Sequence, residues 1–362
     1  MAVIDTDGHV VETERTWDFM EPADAKYRPY IATEKNAAGR PREQWVIDGK
    51  MVRAVRNPLQ AREQEKLYES TGRMVTTPSG AVDMEDVPAR LRHMDELGID
   101  IQVLHSTMFI TATATKPDTE AAVCRGYNRW MADIWRQGEG RLRYPALLPY
   151  LAIDEAVKEL RWAVENGACA AAIRPIERDR LCAEPYFYPV FEEASRLNVP
   201  MAMHLGNGNP EFHALLSSGR CGSAFSFRIP TMSALHWLVW SEVSQDFPDL
   251  RWGIFEAGAD WIPFVIKDLK RRFPTQHPRH KRVLEGNVLK DNNIYVACEA
   301  GDDLSYVLQY AGEDNLVCGT DYGHTDQASE LDALRQLGSR TGVSPGVVDK
   351  ILCDNPTRLF GF

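Results

Sequence analysis

The amino-acid sequence predicts an α/β fold, a (β/α)8 TIM barrel with a long insertion after its first strand. Eight short apolar runs recur along the 362 residues, and most are preceded by an amphipathic stretch. This alternation is typical of buried parallel strands joined by helices. Polar residues of metal-binding type follow several of the runs. Separate loops of this kind converge on one mouth, at the carboxyl ends of the strands, in the barrel.

The order of the elements follows from the positions of these runs. The predicted strands are Ala2–Ile4, Ile101–Leu104, Tyr144–Pro149, Cys169–Ile173, Pro200–Met203, Trp252–Phe255, Ile294–Ala297 and Leu316–Cys318. The predicted helices are Val87–Leu97, Thr119–Gly138, Ile153–Glu165, Phe187–Leu197, Thr231–Gln245, Trp261–Arg272 and Asp302–Tyr310. An open doubly wound sheet is the alternative, but no glycine fingerprint follows the first strand. Residues 1–362 are predicted to form a single domain.

Two segments depart from a minimal barrel. Residues 27–82 form an insertion rich in charge, with an apparent hairpin over Gln44–Arg53 whose turn is Asp48-Gly49. The insertion is too long for a simple connection, so we expect it to cover the barrel mouth as a lid. A second stretch, Gly206–Ile229, has weak periodicity and is predicted to be a long functional loop after the fifth strand.

Composition narrows the class of partner. The chain has 41 basic and 52 acidic residues, a net charge of −11, which argues against nucleic acid or an anionic membrane and favours a small-molecule substrate. No apolar run approaches the roughly 20 residues of a membrane helix, and the first residues lack a signal peptide's features, so we expect a cytoplasmic protein. The scattered cysteines indicate neither a disulfide framework nor a thiolate zinc site. We also expect a homo-oligomer.

Metal-type residues recur at the predicted strand ends. Asp7 and His9 are two residues apart on an extended segment, so their side chains leave the same face. His204 follows the apolar Met-Ala-Met, and Asp321 lies in Cys-Gly-Thr-Asp-Tyr-Gly-His. A polar group at the end of a buried strand needs a hydrogen-bond or ionic partner, and one divalent cation can be the partner of several such groups. The alternatives are a helix-entry turn for Asp7 and a core histidine with a backbone partner for His204.

These motifs resemble the amidohydrolase superfamily. The resemblance rests on Asp-x-His at the first strand, a histidine after the fifth, Phe-Glu-Ala-Gly-Ala-Asp-Trp-Ile-Pro after the sixth and Gly-Thr-Asp-Tyr-Gly-His at the eighth. Arg90–Leu104 and Leu352–Phe360 are similar to further segments of the branch that contains aminocarboxymuconate semialdehyde decarboxylase and γ-resorcylate decarboxylase. The resemblance covers nearly the whole chain apart from the insertion.

The resemblance implies a set of metal ligands. They are Asp7, which stands where γ-resorcylate decarboxylase has a glutamate, with His9, His204 and Asp321. Asp321 would also carry the proton. No lysine stands where binuclear members place a bridging carbamate, so one divalent metal is expected. We put Zn²⁺ first, although histidine and carboxylate ligands without a thiolate also suit Mn²⁺ and Fe²⁺.

Glu256 departs from the pattern, because both named decarboxylases carry a histidine after the sixth strand. Three roles are open for it: a catalytic acid or base, a partner that holds a metal ligand in place, or a carboxylate at the start of a helix. His324 follows Asp321 by three residues and is suited to orienting a ligand. His236 lies on an apolar helix face and is interpreted as a core histidine.

Candidates for substrate binding come from the loops after the strands. Arg174 and Arg228 could each pair with a substrate carboxylate, or form an ordinary salt bridge at the barrel end. Trp261 belongs to a group of aromatic residues that would suit a planar or apolar ligand, or simply pack in the core; the others are Phe212, Phe225 and Phe227.

Two reactions fit the ligand set. The first is non-oxidative decarboxylation of a small aromatic or unsaturated carboxylate, with Asp321 delivering the proton and Glu256 as the second catalytic candidate. The alternative is hydrolysis of an amide, ester or lactone by a metal-activated water. A barrel without catalysis is disfavoured, because all four ligand positions hold competent residues. The branch resemblance favours the decarboxylase.

Overall fold

Eight parallel strands form one sheet that curls into a barrel, as predicted. The computed structural model describes residues 2–35, 39–56, 58–217, 224–276, 286–325, 328–339 and 342–362. The barrel strands, in chain order, are β1 Ile4–Val10, β2 Ile101–Ser106, β3 Leu142–Ala146, β4 Ala168–Ile173, β5 Met201–His204, β6 Trp252–Phe255, β7 Ile294–Cys298 and β8 Leu316–Cys318. Gly8 of β1 makes a parallel bridge to Tyr322, just beyond β8, and the His9 amide donates to the Tyr322 carbonyl (2.8 Å). This bridge joins the first strand to the last.

Helices follow the strands and cover the outside of the barrel. The main ones are Val87–Leu97, Pro117–Gln137, Ile153–Glu165, Tyr188–Arg196, Ala224–Trp240, Ile262–Gln276, Leu304–Ala311, Ala333–Ser339, Pro345–Asp349 and Asn355–Phe360. The first of these shows why its bounds were predictable. The Asp86 side chain accepts a hydrogen bond from the Ala89 amide at its start, and Gly98 ends it with a left-handed φ of 75°.

The first strand differs from its prediction. It runs over Ile4–Val10 rather than Ala2–Ile4, so Asp5, Asp7 and His9 lie inside the strand instead of after it. Buried polar groups in a strand need partners. Asp5 has them, because its carboxylate accepts hydrogen bonds from Gln102 Nε2 (2.7 Å) and Thr320 Oγ1 (2.6 Å). The apolar pattern therefore ended before the strand did.

The barrel interior is filled by side chains from its own strands and from the C-terminal helix. The Phe255 ring stacks on Phe360 at 6.2 Å and lies 5.0 Å from the His105 ring. A Cβ on Gly253 would lie 2.4 Å from the Phe255 ring, so this position of β6 requires glycine. The interior is thus a packed core, and chemistry is confined to the ends of the strands.

The insertion contains the predicted hairpin and one further strand. Pro41–Ile47 and Lys50–Ala54 pair antiparallel, and Tyr30–Lys35 pairs with the first of them. The turn residues Asp48 and Gly49 both have positive φ, 57° and 74°, as a two-residue hairpin turn requires. A helix, Pro58–Glu69, follows the sheet.

The hairpin is anchored on the side of the barrel where the strands end. Asp48 accepts hydrogen bonds from Thr115 Oγ1 (2.5 Å) and lies 2.7 Å from Lys116 Nζ, and both residues follow the end of β2. Trp45 is buried, and its ring meets the Trp17 ring edge-on at 6.2 Å. The insertion therefore lies next to the mouth.

Three further predictions need correction or restatement. Within Gly206–Ile229, predicted as a loop, the structure has a helix at Pro210–Ser217 and the start of Ala224–Trp240; residues 218–223 lie outside the described part. The short helix has no buried residue, which explains its weak apolar pattern. The predicted helix Thr231–Gln245 is divided, because Glu242 adopts a left-handed φ of 64°. His236 is only half-buried and stacks on Trp240, so it is not a core residue.

No helix in the described part of the chain is long and apolar enough to cross a membrane.

Candidate metal centre

Five side chains from four strand ends converge at the mouth of the barrel. Asp7 and His9 come from β1, His204 ends β5, Glu256 follows β6, and Asp321 lies three residues beyond β8. All except His204 are buried, and His204 exposes 12% of its side chain. The four residues predicted as metal ligands therefore meet, and Glu256 lies among them.

His9 is at the centre of this group. Its Nε2 lies 3.1 Å from His204 Nε2, 3.3 Å from Asp321 Oδ1 and 3.5 Å from both Asp7 Oδ1 and Glu256 Oε2. His204 Nε2 lies 3.2 Å from Asp7 Oδ1 and 2.9 Å from Glu256 Oε2. Nitrogen and carboxylate donors crowded in this way are a suitable set for one divalent cation.

The backbone presents these side chains in two ways. Asp7 and His9 leave the same face of β1 because side chains alternate along a strand. Glu256 and Asp321 instead have left-handed φ values of 56° and 51°. Such a conformation costs a non-glycine residue roughly 1–3 kcal/mol and is concentrated at functional sites. The turns after β6 and β8 are therefore held by their surroundings.

Hydrogen bonds orient the imidazoles. His204 Nδ1 lies 3.1 Å from the Leu205 carbonyl oxygen and can donate to it, so Nε2 is the nitrogen that faces the cluster. His105 Nε2 lies 3.0 Å from the Thr6 carbonyl. Burial, together with the nearby His204, lowers the pKa of His105 to about 3, so its ring is neutral. His105 lies beside the cluster; the sequence places it among the polar residues that follow the predicted strands, but it was assigned no role in the site.

The carboxylates favour the protonated, positively charged form of His204. Burial opposes ionisation of Asp7 and Glu256, but the charge of His204 and hydrogen bonds from both imidazoles outweigh it and hold each pKa below its ordinary value. Burial would lower the pKa of His204, yet Glu256 and Asp7 raise it to about 10. A buried group of carboxylates with this demand for a counter-charge fits a bound cation.

Asp321 and His324 form a pair beside the cluster. Ser329 Oγ donates to Asp321 Oδ2 (2.6 Å), and His324 Nδ1 lies 2.8 Å from Asp321 Oδ1. His324 Nε2 is 2.9 Å from Thr107 Oγ1, and its ring stacks on the His9 ring at 3.7 Å. His324 thus has the contacts expected of a residue that orients Asp321.

A buried network behind the ligands was missed by sequence reasoning. Arg90 donates to Gln102 Oε1 (2.7 Å) and to the His9 carbonyl (3.3 Å), and its guanidinium lies 3.4 Å from the centre of the Tyr322 ring. Gln102 in turn donates to Asp5. The signal for it was an arginine among apolar residues of the helix Val87–Leu97. The network ties β1 to β2 and β8.

A cleft opens beside the cluster. Its space, including its opening to solvent, is about 690 Å³. Its lining includes His105, His204 and Arg174 and two buried glutamates, Glu120 and Glu177. The rest of the wall is mostly apolar and includes Phe109, Ile110, Leu147, Leu148, Ile173 and Leu205.

The three predicted substrate-binding residues have different positions. Arg174 lines the cleft, but its Nε and Nη2 both donate to Glu177 Oε2 (3.1 and 2.6 Å), and its Nη1 donates to two backbone carbonyls. Arg228 donates to Glu299 at 3.2 Å. Trp261 is buried, and its Nε1 donates to the carbonyls of Ala257 and Gly258 instead of lining the cleft described above. Their part in substrate binding stays a prediction.

A residue of the hairpin also reaches this region. Arg53 pairs across from Trp45 in the insertion sheet. Burial lowers the pKa of Arg53, while the negative charges of Glu12 and Glu256 act against that shift. Burial is the main cause of the lowered pKa of His324, and the positive charge of Arg53 adds to that shift. Arg53 therefore brings a cation from the insertion to the mouth, a long-range placement that no local sequence pattern indicates.

Comparison with known proteins gives the same picture of the fold. The amidohydrolase family model matches residues 4–362. An amidohydrolase structure from Mycobacterium avium subsp. paratuberculosis K-10 is similar with a TM-score of 0.75 and 19% identity, covering 99% of both chains. 5-Carboxyvanillate decarboxylase from Sphingomonas paucimobilis gives 0.69 and 17%, covering 100% of this chain and 99% of its own. Dihydroxybenzoic acid decarboxylase from Polaromonas sp. JS666, with bound manganese and 2-nitroresorcinol, gives 0.69 and 18%, covering 99% and 97%.

Proposed function

The chain belongs to the amidohydrolase family, and from this premise we propose that it is a metal-dependent decarboxylase of a small aromatic or unsaturated carboxylate. The observation that carries this proposal is the apolar cleft that opens directly beside the His204 end of the cluster. Solved structures of similar fold include decarboxylases that act on substituted benzoates. The apolar part of the lining would suit the ring of such a substrate.

The cluster fits a divalent metal, held by Asp7, His9, His204 and Asp321. His9 Nε2 lies within 3.5 Å of a donor atom of each of the other three residues, and both carboxylates are buried. When bound, the metal supplies a positive charge that polarises substrate oxygens. Zn²⁺ and Mn²⁺ both suit nitrogen and oxygen donors, and the manganese in the Polaromonas enzyme supports including Mn²⁺ in every assay.

The cleft would strip water from the substrate. Walls such as Phe109, Leu147 and Ile173 offer a planar ring apolar contacts and no hydrogen bonds from their side chains. A carboxylate in such surroundings loses its hydration, which favours release of neutral carbon dioxide. Arg53 places a positive charge near Glu256 at the same mouth and would meet the negative charge of the incoming substrate.

Asp321 is the group proposed to move the proton. As the carbon–carbon bond breaks, its electron pair stays on the ring carbon, and Asp321 delivers the proton that this carbon needs. Ser329 and His324 fix the two carboxylate oxygens of Asp321 in place. His324 is itself held by Thr107, 2.9 Å from its Nε2, which keeps its ring beside Asp321.

The test is a substrate panel scored for product type. The protein is loaded with Zn²⁺ or Mn²⁺ and given hydroxylated and methoxylated benzoates, unsaturated dicarboxylates, and a parallel set of amides, esters and lactones. Release of carbon dioxide from the carboxylates is expected. Appearance of a new carboxylate from the second set alone would make the protein a hydrolase and overturn the proposal.

A further inference from the structure

Glu256 occupies a position that excludes one of its three expected roles. Its Oε2 lies 2.9 Å from His204 Nε2 and 3.5 Å from His9 Nε2, inside the cluster. It is buried, and it precedes the helix Ile262–Gln276 by six residues, so it does not start that helix. A helix-start carboxylate is thereby excluded.

We propose that Glu256 is itself a metal ligand, rather than a catalytic acid or base near the metal. This inference rests on the proposed metal-dependent function and adds a third carboxylate to the ligand set. It concerns the residue at which the sequence departs from the histidine of the two named decarboxylases.

The spacing of the donor atoms supports this assignment. Donors held about 2.1 Å from one ion lie about 3.0–3.4 Å apart in octahedral or tetrahedral arrangements. The distances from Glu256 Oε2 to the two imidazole nitrogens, 2.9 and 3.5 Å, are comparable with those from Asp7 Oδ1 to the same nitrogens, 3.2 and 3.5 Å. Glu256 is thus as well placed to bind the ion as Asp7, a proposed ligand.

The grouping of the donors gives a second argument. Two sets of four residues each have all their donor atoms within 4.8 Å of one another. One contains Asp7 and His204, the other contains Asp321 and His324, and both contain His9 and Glu256. Asp321 is not grouped with Asp7 and His204, but Glu256 is a member of both sets, so it lies among the donors whichever set holds the ion.

The backbone holds Glu256 in this position. Its φ of 56° turns the chain sharply after β6, and Gly258 continues the turn with a φ of 65°. The Trp261 indole donates to the carbonyls of Ala257 and Gly258 (3.1 and 2.7 Å) and so fixes the turn. A residue that must reach a substrate carbon needs no such placement between two ligand nitrogens, whereas a ligand does.

The added carboxylate predicts a preference among metals. Three carboxylates and two imidazoles, counting Asp321, form an oxygen-rich set of five donors. Such a set suits the higher coordination numbers of Mn²⁺ better than the four-coordinate sites typical of Zn²⁺. Replacing Glu256 with histidine should therefore shift the preference towards Zn²⁺.

The decisive measurement uses the unaltered protein. In a crystal structure of the Mn²⁺-loaded chain, we expect Glu256 Oε2 within about 2.4 Å of the ion. A carboxylate more than about 3.5 Å away, with a metal bound by the other residues, overturns this inference and leaves the proposed function intact. Failure of the chain to bind any divalent metal overturns both.

Binding measurements on variants provide a second test. For the chelator-stripped protein, the Mn²⁺ dissociation constant is measured by the electron paramagnetic resonance of free Mn²⁺. Glu256→Ala, which removes the oxygen donor altogether, should raise this constant by at least about 100-fold, more than the loss of a residue that only supports a ligand. Glu120→Ala, a matched change at a buried glutamate outside the cluster, should leave it within about threefold. Circular dichroism of the metal-free variants checks their folding.

An unchanged constant in Glu256→Ala, with only turnover reduced, would assign Glu256 to proton transfer and overturn the inference. If that variant does not fold, Glu256→His provides the measurement. It should bind metal and show a lower ratio of Mn²⁺ to Zn²⁺ affinity than the unaltered chain. An unchanged ratio in that variant contradicts the proposed coordination.

Discussion

Two regions supply side chains to the same mouth by different structural means. The barrel delivers Asp7, His9 and His204 on or at the ends of strands whose register is fixed by neighbouring strands on both sides. The insertion delivers Arg53 on a three-stranded sheet that meets the barrel through contacts such as those of Asp48. Rigid strands suit groups that must hold atoms to within a fraction of an ångström, whereas an appended sheet suits recognition. Changes in the barrel should therefore alter metal binding and turnover, and changes in the insertion should alter substrate affinity.

The largest effect is expected at the centre of the cluster. His9→Ala should weaken metal binding by at least about 1000-fold, because His9 Nε2 lies within 3.5 Å of four other donors. Elemental analysis after dialysis measures the loss. His236→Ala, a half-buried histidine on an outer helix, is the matched control. Full metal occupancy in the His9 variant would contradict the assignment of this site.

The next effect separates metal binding from chemistry within the barrel. Asp321→Asn should lower kcat by roughly 10²–10⁴-fold while much of the metal remains, since an amide oxygen can coordinate but cannot carry the proton. Asp332→Asn, in the segment that follows, is the control. Metal content and turnover are measured on the same preparation. An active Asn variant would remove Asp321 from proton transfer.

A smaller effect is expected at the insertion. Arg53→Gln should raise KM by about 10–100-fold, with kcat and metal content changed much less, because the variant loses one charge-assisted contact to an anionic substrate. Arg42→Gln, an exposed arginine of the same sheet, should change neither parameter. An equal fall in kcat and metal content would show that the insertion supports the metal site, and the contrast between the two regions would fail.

The smallest effect concerns the anchor of the hairpin. Lys116 and Thr115 hold the pKa of Asp48 at about 2, below its ordinary value of 3.8. A carboxyl with a lowered pKa stabilises the docked state fully above pH 3.8 and loses that contribution as the pH falls towards 2. Hydrogen exchange of the hairpin should therefore accelerate a few-fold over this range. Asp48→Asn should remove the pH dependence, and a persistent dependence would assign it to other groups.

The sequence predicts those parts of the fold that local chemistry determines. The bounds of Val87–Leu97, Ile153–Glu165, Trp252–Phe255 and Leu316–Cys318 agree with the structure, because caps or uninterrupted apolar runs mark their ends. The bounds of the first strand were wrong, since Asp5 is satisfied by residues about 100 and 300 positions away. A local sequence pattern does not indicate such distant hydrogen-bond partners.

The same limit applies to the site. The residue types and order indicated which strand ends would meet, but the engagement of Arg174 with Glu177 and the approach of Arg53 depend on tertiary contacts. The left-handed turn at Glu256 is likewise imposed by its surroundings and by the Trp261 indole. For these residues the sequence indicated the functional groups, but only the fold determines which groups lie close to one another.

Separation of β1 from β8 at the bridge between Gly8 and Tyr322 should be coupled to release of the metal. His9 donates its amide hydrogen across this seam to Tyr322, and its ring belongs to the cluster. Local separation of β1 from β8 would break that hydrogen bond and move His9 away from Asp321 in a single event. A bound ion must then be released before, or together with, the opening. A bound ion stabilises the closed seam and should therefore slow exchange of the His9 amide hydrogen by the same factor. The exchange rate of this one backbone amide then reports on metal binding.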